Sequence, residues 1–497
     1  MQNFILNLDI LVDYYELNKI AHSETTQVVE YLKNKPNVYV LPCALKNFAS
    51  QRKIIEEILS CFKIAKVPSY AKINPQDIEA SLLLASAKAM DAVIITRDKN
   101  LLENFSQFTI LPEFFLQNIK QNNFHIDFAN LKKQHFLYLS EIEEKIDKIL
   151  TSAKFIMGDE VALLEKNLAQ FTEAKYAISC SSGTDALLLA LMAIDIKPGD
   201  EVITSVFTFI ATAEAIALLG AKPVFVDIDE QTYNLNVQKI EQKITPKTKA
   251  IIPVSLYGQP ADMDEINTLA QKYNLCVIED AAQSFGAVYK GKKSCNLSKI
   301  GCTSFFPAKP LGCYGDGGAI FTNDPDLAEK IVSLRTHGQT KRYVHQYIGL
   351  NGRLDAIQAA VLNVKLKHYP HDLALRNKVA HTYTQKIKNM LPDKVILPVV
   401  KEDRTSAWAQ YSIRLPQEQH LNRENIITRL KNKNIPTAVH YPQPLHKQAC
   451  FEYLQNPKEQ FPIAEKISKE ILSLPMNPYL TDEELDFIVT ALKESIA

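Results

Sequence analysis

Tyr176-Ala-Ile-Ser-Cys180-Ser-Ser-Gly183-Thr184-Asp185-Ala-Leu-Leu-Leu-Ala190-Leu-Met-Ala-Ile194 sets the fold of this chain. A short apolar run passes through small polar residues into an apolar segment too long for a strand, which predicts a strand, a tight turn and a helix over Thr184–Ile194. The same unit recurs downstream. Strands are expected at Tyr176–Cys180, Glu201–Ser205, Pro223–Asp227, Ala250–Ser255 and Cys276–Glu279, with helical stretches between them such as Asp264–Tyr273. Alternation of this kind predicts an α/β fold built from βαβ units, with a mainly parallel sheet covered by helices on both faces. Ligands of such sheets bind beyond the carboxyl ends of the strands, so the residues that follow each strand are the candidates for function.

Upstream of this block, Ile142, Ile146, Ile149, Val161, Leu164 and Leu168 repeat at helical spacing, with a break at Met157 and Gly158. Downstream, from about Lys378, the order loosens into expected strands at Val395–Val399 and Ala409–Leu415 and helices ending at Ile496, a smaller α+β lobe. Residues before about 118 form a separate small α/β pattern, with strands expected at Phe4–Leu8 and Ala92–Thr96. The stretch Gln117–Asn130 is rich in Gln, Asn and Lys and marks the boundary. The expected organisation is therefore a domain over 1–118, a linker over 119–125, a large domain over 126–377 and a small lobe over 378–497.

Bulk properties narrow the function. A chain of 497 residues exceeds what one core can organise, and 46% apolar with 23% charged residues describes a soluble globular protein. No apolar run is long enough to span a bilayer. Basic and acidic residues balance at 56 each, so no overall field draws nucleic acid or a membrane to the chain, and neither is an expected partner. Any anionic ligand must be held by a local site. Eight cysteines show no CxxC spacing and no disulfide density, and the N-terminus carries no secretory pattern, so reduced thiols and a cytoplasmic location are expected.

Three strand ends carry chemistry. Asp280 follows Cys276–Glu279, where a carboxylate meeting the crevice needs a cationic partner. The protonated ring nitrogen of pyridoxal phosphate is such a partner, since the ring draws electrons only while that proton is held. In Ser304-Phe-Phe-Pro-Ala-Lys309-Pro-Leu-Gly312-Cys-Tyr-Gly315-Asp-Gly-Gly318 a single lysine stands among apolar and small residues. Desolvation favours its neutral amine, the form needed for nucleophilic attack and proton carriage. Ser182, Gly183 and Thr184 open a helix whose free N–H groups suit a phosphate, and Phe209 follows another strand where it could stack on a ring. Each residue also has a plain role: Asp280 as a turn former, Lys309 as a loop residue, Ser182–Asp185 as an N-cap, Phe209 as core. Their combination favours the cofactor site.

With these residues in place, the chain from Ile126 to Ala497 resembles the DegT/StrS-type sugar aminotransferases, of the fold-type I architecture of pyridoxal-phosphate enzymes. The resemblance is carried in order by Met157-Gly-Asp-Glu-Val161, Ser182-Gly-Thr184, Thr208-Phe209, Val277-Ile-Glu-Asp-Ala-Ala-Gln-Ser284, Ser304 through Gly318, Arg335-Thr-His-Gly338, Asn351-Gly-Arg353 and His440-Tyr-Pro442. It implies that Lys309 bonds covalently to pyridoxal 5'-phosphate, that Asp280 binds the pyridinium nitrogen and that Gln283 meets the phenolic oxygen side. It further implies phosphate contacts from Gly183, Thr184 and Ser304, stacking by Phe209, and Asn351 reaching the phosphate of a neighbouring subunit, hence a homodimer at least.

The implied reaction is ping-pong, with the cofactor cycling through pyridoxamine phosphate and L-glutamate as the expected donor. Lys309 serves as tether, general base and general acid. Family members with His in place of this lysine dehydrate their sugar instead, and Lys309 favours transamination over that alternative. Gly258-Gln-Pro-Ala-Asp262, Ser294-Cys-Asn-Leu-Ser298 and Ser304 to Asn323 look most like the WbpE-type branch, which aminates C3 of UDP-2-acetamido-2-deoxy-3-oxo-glucuronate for surface polysaccharide. A uronate carboxylate calls for a guanidinium, and Arg353 is the candidate, with His337, His440 and Tyr441 as further substrate contacts by resemblance.

Before the boundary, Asp9, Glu79 and Asp98 resemble the acidic set of PIN-type nucleases, which gather carboxylates around divalent metal. The chain departs from that pattern with Lys46 and Asn47 where a further acid is usual, and with Glu79 in place of Asp. The implied alternatives are a metal-dependent ribonuclease or a degenerate interaction module.

Overall fold

The computed structural model describes residues 126–416, 421–454 and 459–496, together with five short strands before them. The chain divides into two compact units, Met1–His125 with Asn130–Leu139, and Ile126–Ala129 with Ser140–Ala497. In the first unit, Asn3–Leu6 lies at the centre of a parallel five-stranded sheet, between Val38–Val40 and Ala92–Ile95, with Lys63–Ile64 and Thr109–Ile110 at the edges. Both stretches expected there from sequence contain a strand. The PIN-like acids Asp9, Glu79 and Asp98, and the linker over 119–125, lie outside the described residues.

In the second unit seven strands form one sheet: β1 (Tyr176–Cys180), β2 (Glu201–Ser205), β3 (Lys222–Val226), β4 (Thr248–Ile252), β5 (Cys276–Asp280), β6 (Ile300–Ser304) and β7 (Gly318–Thr322). Their order is β1-β7-β6-β5-β4-β2-β3, and all are parallel except β7. β4 ends at Ile252, short of the expected Ser255, because Pro253 has no N–H to continue the ladder. β6, which carries Gly, Cys, Thr and Ser after Ile300, has little strand signal in the sequence, and β7 offers only the short apolar run 319–321.

Helices fill both faces, α4 (Ala211–Leu218) and α5 (Met263–Lys272) among them. α1 (Leu131–Ser152) and α2 (Asp159–Thr172) are separated at Met157 and Gly158, whose φ values of 56° and 92° no helix can hold. α3 (Gly183–Ala193) starts at Ser182, whose Oγ accepts the Asp185 N–H at 3.0 Å. Leu187, Leu189 and Leu191 of α3 are all buried, because one side meets Ile178, Ile278 and Ile300 of the sheet and the other meets Ile331 and Leu334 of α6 (Pro325–Arg335). This helix is apolar all round because it is covered all round. The opposite face of the sheet is closed by Val161, Leu164 and Leu168 of α2 and by Leu362, Leu366 and Tyr369 of the 35-residue helix α7 (Ala356–Met390). α7 runs unbroken through 377 and 378 into the C-terminal part.

That part pairs β8 (Tyr411–Arg414) with β9 (Ile471–Leu474), beside α8 (Arg423–Asn432), α9 (Pro462–Glu470) and α10 (Asp482–Ile496). The strand expected at Val395–Val399 is absent: only Ile396 bridges to Arg414, since Pro398 lacks the donor a longer ladder requires.

Strand alternation turns neighbouring acids of β5 to opposite sides. Glu279 is fully buried and accepts the Ser294 hydroxyl at 2.5 Å and the Cys295 N–H at 2.9 Å, which anchors the loop over 294–298. Burial pushes its pKa up from 4.5 to about 7. A raised acid adds stability that is complete below the unfolded value and lost as pH rises through the folded one. Thermal unfolding should therefore show about 3 kcal/mol less stability from this group at pH 7.5 than at pH 4.5. Glu279→Gln should flatten the curve over that window, and an unchanged slope would assign the effect elsewhere.

Candidate active site

The carboxyl ends of β1, β2, β5 and β6 converge on one region. At the end of β5, Asp280 is buried, and its Oδ2 accepts the Thr212 hydroxyl at 2.8 Å while Oδ1 accepts the Ala282 N–H at 3.2 Å. Burial raises its pKa, against the pull of Thr212, the Ala282 amide and the positive charge of Lys309. Lys309 stands on the loop between β6 and β7, where its own N–H donates to Phe306 O at 2.8 Å. Burial lowers its pKa and the Asp280 carboxylate opposes the shift. Each therefore senses the other's charge, and desolvation is the larger influence on both.

His440 closes the site from the C-terminal part. Burial first, and the Lys309 charge second, bring its pKa down from 6.5 to about 4, so it is a neutral imidazole at physiological pH. Its Nδ1 lies 2.9 Å from Ser473 Oγ on β9, and Ser473 in turn lies 2.9 Å from Ser412 on β8. Gln283 joins this group to β5: its Nε2 donates to the Tyr441 hydroxyl at 3.1 Å, and its Oε1 accepts the Tyr257 N–H at 2.6 Å. Tyr257, at φ 56°, sits in the left-handed region, and its hydroxyl donates to the His440 carbonyl. Holding both ends of this tyrosine offsets the roughly 1 kcal/mol cost of that backbone. The Tyr441 ring lies 6.0 Å from Phe207 and 6.3 Å from Phe209, and Phe209 remains 56% exposed.

The cradle forms on the other side. Ser182, Gly183 and Thr184 begin α3, and Gly183 lies so close to Ser304 that a Cβ there would stand 2.6 Å from the Ser304 Cβ. Gly318, at the start of β7, leaves no room for a side chain beside Ser182 O, only 2.4 Å from where its Cβ would be. Asn351-Gly-Arg353 is tied here too, since Gly352 O accepts the Ser181 N–H at 3.0 Å. Arg353 is half-buried, and its Nε is buried with no hydrogen-bond partner among the described residues.

Gln283 and Tyr441 are thus linked by a hydrogen bond, Lys309 is coupled by charge to Asp280 and His440, and Gly183, Thr184 and Ser304 form the neighbouring cradle. Asn351 and His337 are not joined to them: both are exposed, on paired backbone where Thr336 bridges to Asn351. Arg335 from the same sequence block is structural, buried against Glu165 at 2.5 Å and Ser179 O at 2.7 Å. Thr212, Tyr257 and Ser473 join the site with no mark of that role in the sequence. Only the positive φ of Tyr257 before Gly258 has a sequence trace, in the turn-forming glycine.

The residues fit pyridoxal phosphate. A buried carboxylate with no ion-pair cation among the described residues meets the need of a pyridinium nitrogen, and an exposed Phe209 ring offers a stacking face. Free N–H groups at the start of an eleven-residue helix, opposite Ser304, suit a phosphate. Sheet order, antiparallel β7 and a lysine on the β6–β7 loop define a pyridoxal-phosphate-dependent transferase of fold type I.

The chain belongs to the DegT/DnrJ/EryC1/StrS aminotransferase family, which matches residues 138–493. It is 52% identical over 367 residues to the UDP-2-acetamido-2-deoxy-3-oxo-D-glucuronate aminotransferase of Pseudomonas aeruginosa, covering 74% of this chain and 99% of that protein. It is 41% identical over 365 residues to an Acidithiobacillus ferrooxidans UDP-N-acetyl-3-dehydro-alpha-D-glucosamine 3-aminotransferase, covering 73% and 96%. The crystal structure of a family member from Brucella abortus superposes with a TM-score of 0.71 at 38% identity, covering 75% of this chain and all of that one. The protein is a pyridoxal-phosphate-dependent sugar aminotransferase, acting on a nucleotide sugar with an amino donor. Among the described residues no helix is long and apolar enough to cross a membrane.

Proposed function

We propose that this enzyme moves an amino group from L-glutamate to C3 of a UDP-linked 3-keto uronate sugar, in the cytoplasmic synthesis of surface polysaccharide. The observation that carries the amino transfer is the half-buried, desolvated Lys309, which senses the charge of Asp280 and stands near a neutral His440. The sugar is supported by the 52% identity over 99% of the Pseudomonas aeruginosa enzyme.

Pyridoxal phosphate supplies, when bound, a carbonyl that accepts amines and a ring that draws electrons. Lys309 Nζ tethers it and carries the proton, taking it from the donor's α-carbon in one half-reaction and returning one to the sugar carbon in the other. Burial lowers the pKa of that amine, which favours the neutral form the reaction needs. Asp280, steadied by Thr212 and the Ala282 amide, keeps the ring nitrogen protonated. Gln283, fixed from both ends by Tyr257 and Tyr441, faces the phenolic oxygen. Gly183, Thr184 and Ser304 hold the phosphate, and Phe209 stacks on the ring.

Arg353, whose buried Nε has no hydrogen-bond partner among the described residues, binds the uronate carboxylate. His440 and Tyr441 orient the sugar. Asn351 and His337, exposed side by side, reach substrate and phosphate from the second subunit of a homodimer.

A panel of UDP- and dTDP-linked keto sugars, each given glutamate, tests donor, nucleotide and sugar together when 2-oxoglutarate and the amino sugar are followed by mass. Preferred conversion of the UDP-3-keto uronate is expected, with Arg353→Gln raising its KM about tenfold or more. Conversion of a neutral sugar in preference to the uronate would overturn the assignment.

A further inference from the structure

One cation near the site has no part in the chemistry above. Lys365 of α7 is 3% exposed, and its ammonium donates to Gly312 O at 2.8 Å and lies 4.6 Å from the centre of the Tyr314 ring. Seven residues earlier on the same helix, Gln358 Oε1 accepts the Tyr314 N–H at 2.8 Å. Among the described residues no carboxylate reaches ion-pair distance of this ammonium, and Asp372 acts on it only from farther off. Burial brings its pKa down to about 8.

A buried ammonium held only by a carbonyl and a ring is costly, and a leucine or methionine would fill the same helix position without that cost. What the ammonium grips is the loop between β6 and β7. That loop has no slack: a Cβ on Gly312 would stand 2.5 Å from Pro307 O, and Cys313 N–H and Sγ both turn back onto Phe305 O, at 2.8 and 3.0 Å. Lys309 lies between these fixed points, three residues before Gly312. A shift of the Gly312 carbonyl is therefore passed along tightly packed backbone to Lys309.

We infer that Lys365 is a positioning residue, whose ammonium, clasped between the Gly312 carbonyl and the Tyr314 ring, holds the lysine loop so that Lys309 meets Asp280. Gln358 is the second point of the same clamp. The inference rests on Lys309 being the reacting amine, as proposed above.

The test uses the full-length protein with Lys365→Met, which keeps the unbranched side chain but for its terminal nitrogen and so removes charge and donor. Amide hydrogen exchange is followed in peptides covering 305–318, with α3 and β5 as internal references. Exchange in 305–318 should quicken about tenfold or more while the references hold. In the loaded enzyme kcat should fall about tenfold to a hundredfold, with KM for donor and sugar within about threefold. A merely structural role predicts a lower melting temperature with unchanged relative exchange in 305–318 and unchanged kcat, and that result overturns the inference. Tyr314→Leu, which removes the ring from the partly exposed side, decides by the same criteria if Lys365→Met does not fold. If the wild-type chain turns over none of the keto sugars, the enzyme assignment fails separately, and the exchange measurement still judges the clamp.

Discussion

Lys309→Ala is expected to lower transamination by at least about 10³-fold, and to remove the absorbance band near ~420 nm that the loaded wild-type protein should show. The size follows from the number of tasks assigned to one nitrogen. It tethers the cofactor, it takes a proton from the donor carbon, and it returns one to the sugar carbon. His440 cannot substitute: burial, the larger cause of its lowered pKa, persists when Lys309 is removed, and its Nδ1 is already engaged with Ser473. Lys309→Arg should fail almost as fully, because a guanidinium stays protonated and is no nucleophile. A variant without Lys309 that kept the band and the turnover would remove this lysine from the mechanism.

Asp280→Asn should cost about 10²-fold in kcat, the equivalent of about 3 kcal/mol for breaking a buried charge pair. Asn still accepts the Thr212 hydroxyl, so the fold around β5 should persist while the anion is lost. A second effect has a fixed sign. The Asp280 carboxylate raises the Lys309 pKa against desolvation, so its removal should drive that pKa lower still. The rate of covalent modification of Lys309 in the cofactor-free protein, followed against pH, reads this directly. The midpoint should move to lower pH in Asp280→Asn, and an upward move would contradict the geometry.

The two residues differ in how they could be recognised. Asp280 is legible from sequence because it stands at a strand end of a strongly alternating βαβ pattern, and Lys309 because its surroundings are too apolar and too small for an ordinary surface charge. Gly183 is legible as part of the turn that opens the helix after the first strand, and Ser304 only through the family resemblance. Thr212, Tyr257 and Ser473 were not, since a hydroxyl has no sequence signature until a partner is brought to it, and their partners lie 68, 183 and 33 residues away. Arg335 shows the converse: it stands in a motif that marks the family, yet it is consumed by a buried ion pair with Glu165. Lys365 had no sequence signal either, as one lysine in the long helix α7.

By itself the sequence determined the layered α/β architecture, the strand ends that carry chemistry, and the lysine and carboxylate that define a pyridoxal-phosphate site, because these depend on local period and local polarity. Only the tertiary structure decided how far each charge is desolvated, which hydroxyls steady Asp280 and His440, and that β7 runs against its neighbours so that the lysine loop folds back under α7. Those are properties of distance and burial between remote segments, and no window of neighbouring residues contains them.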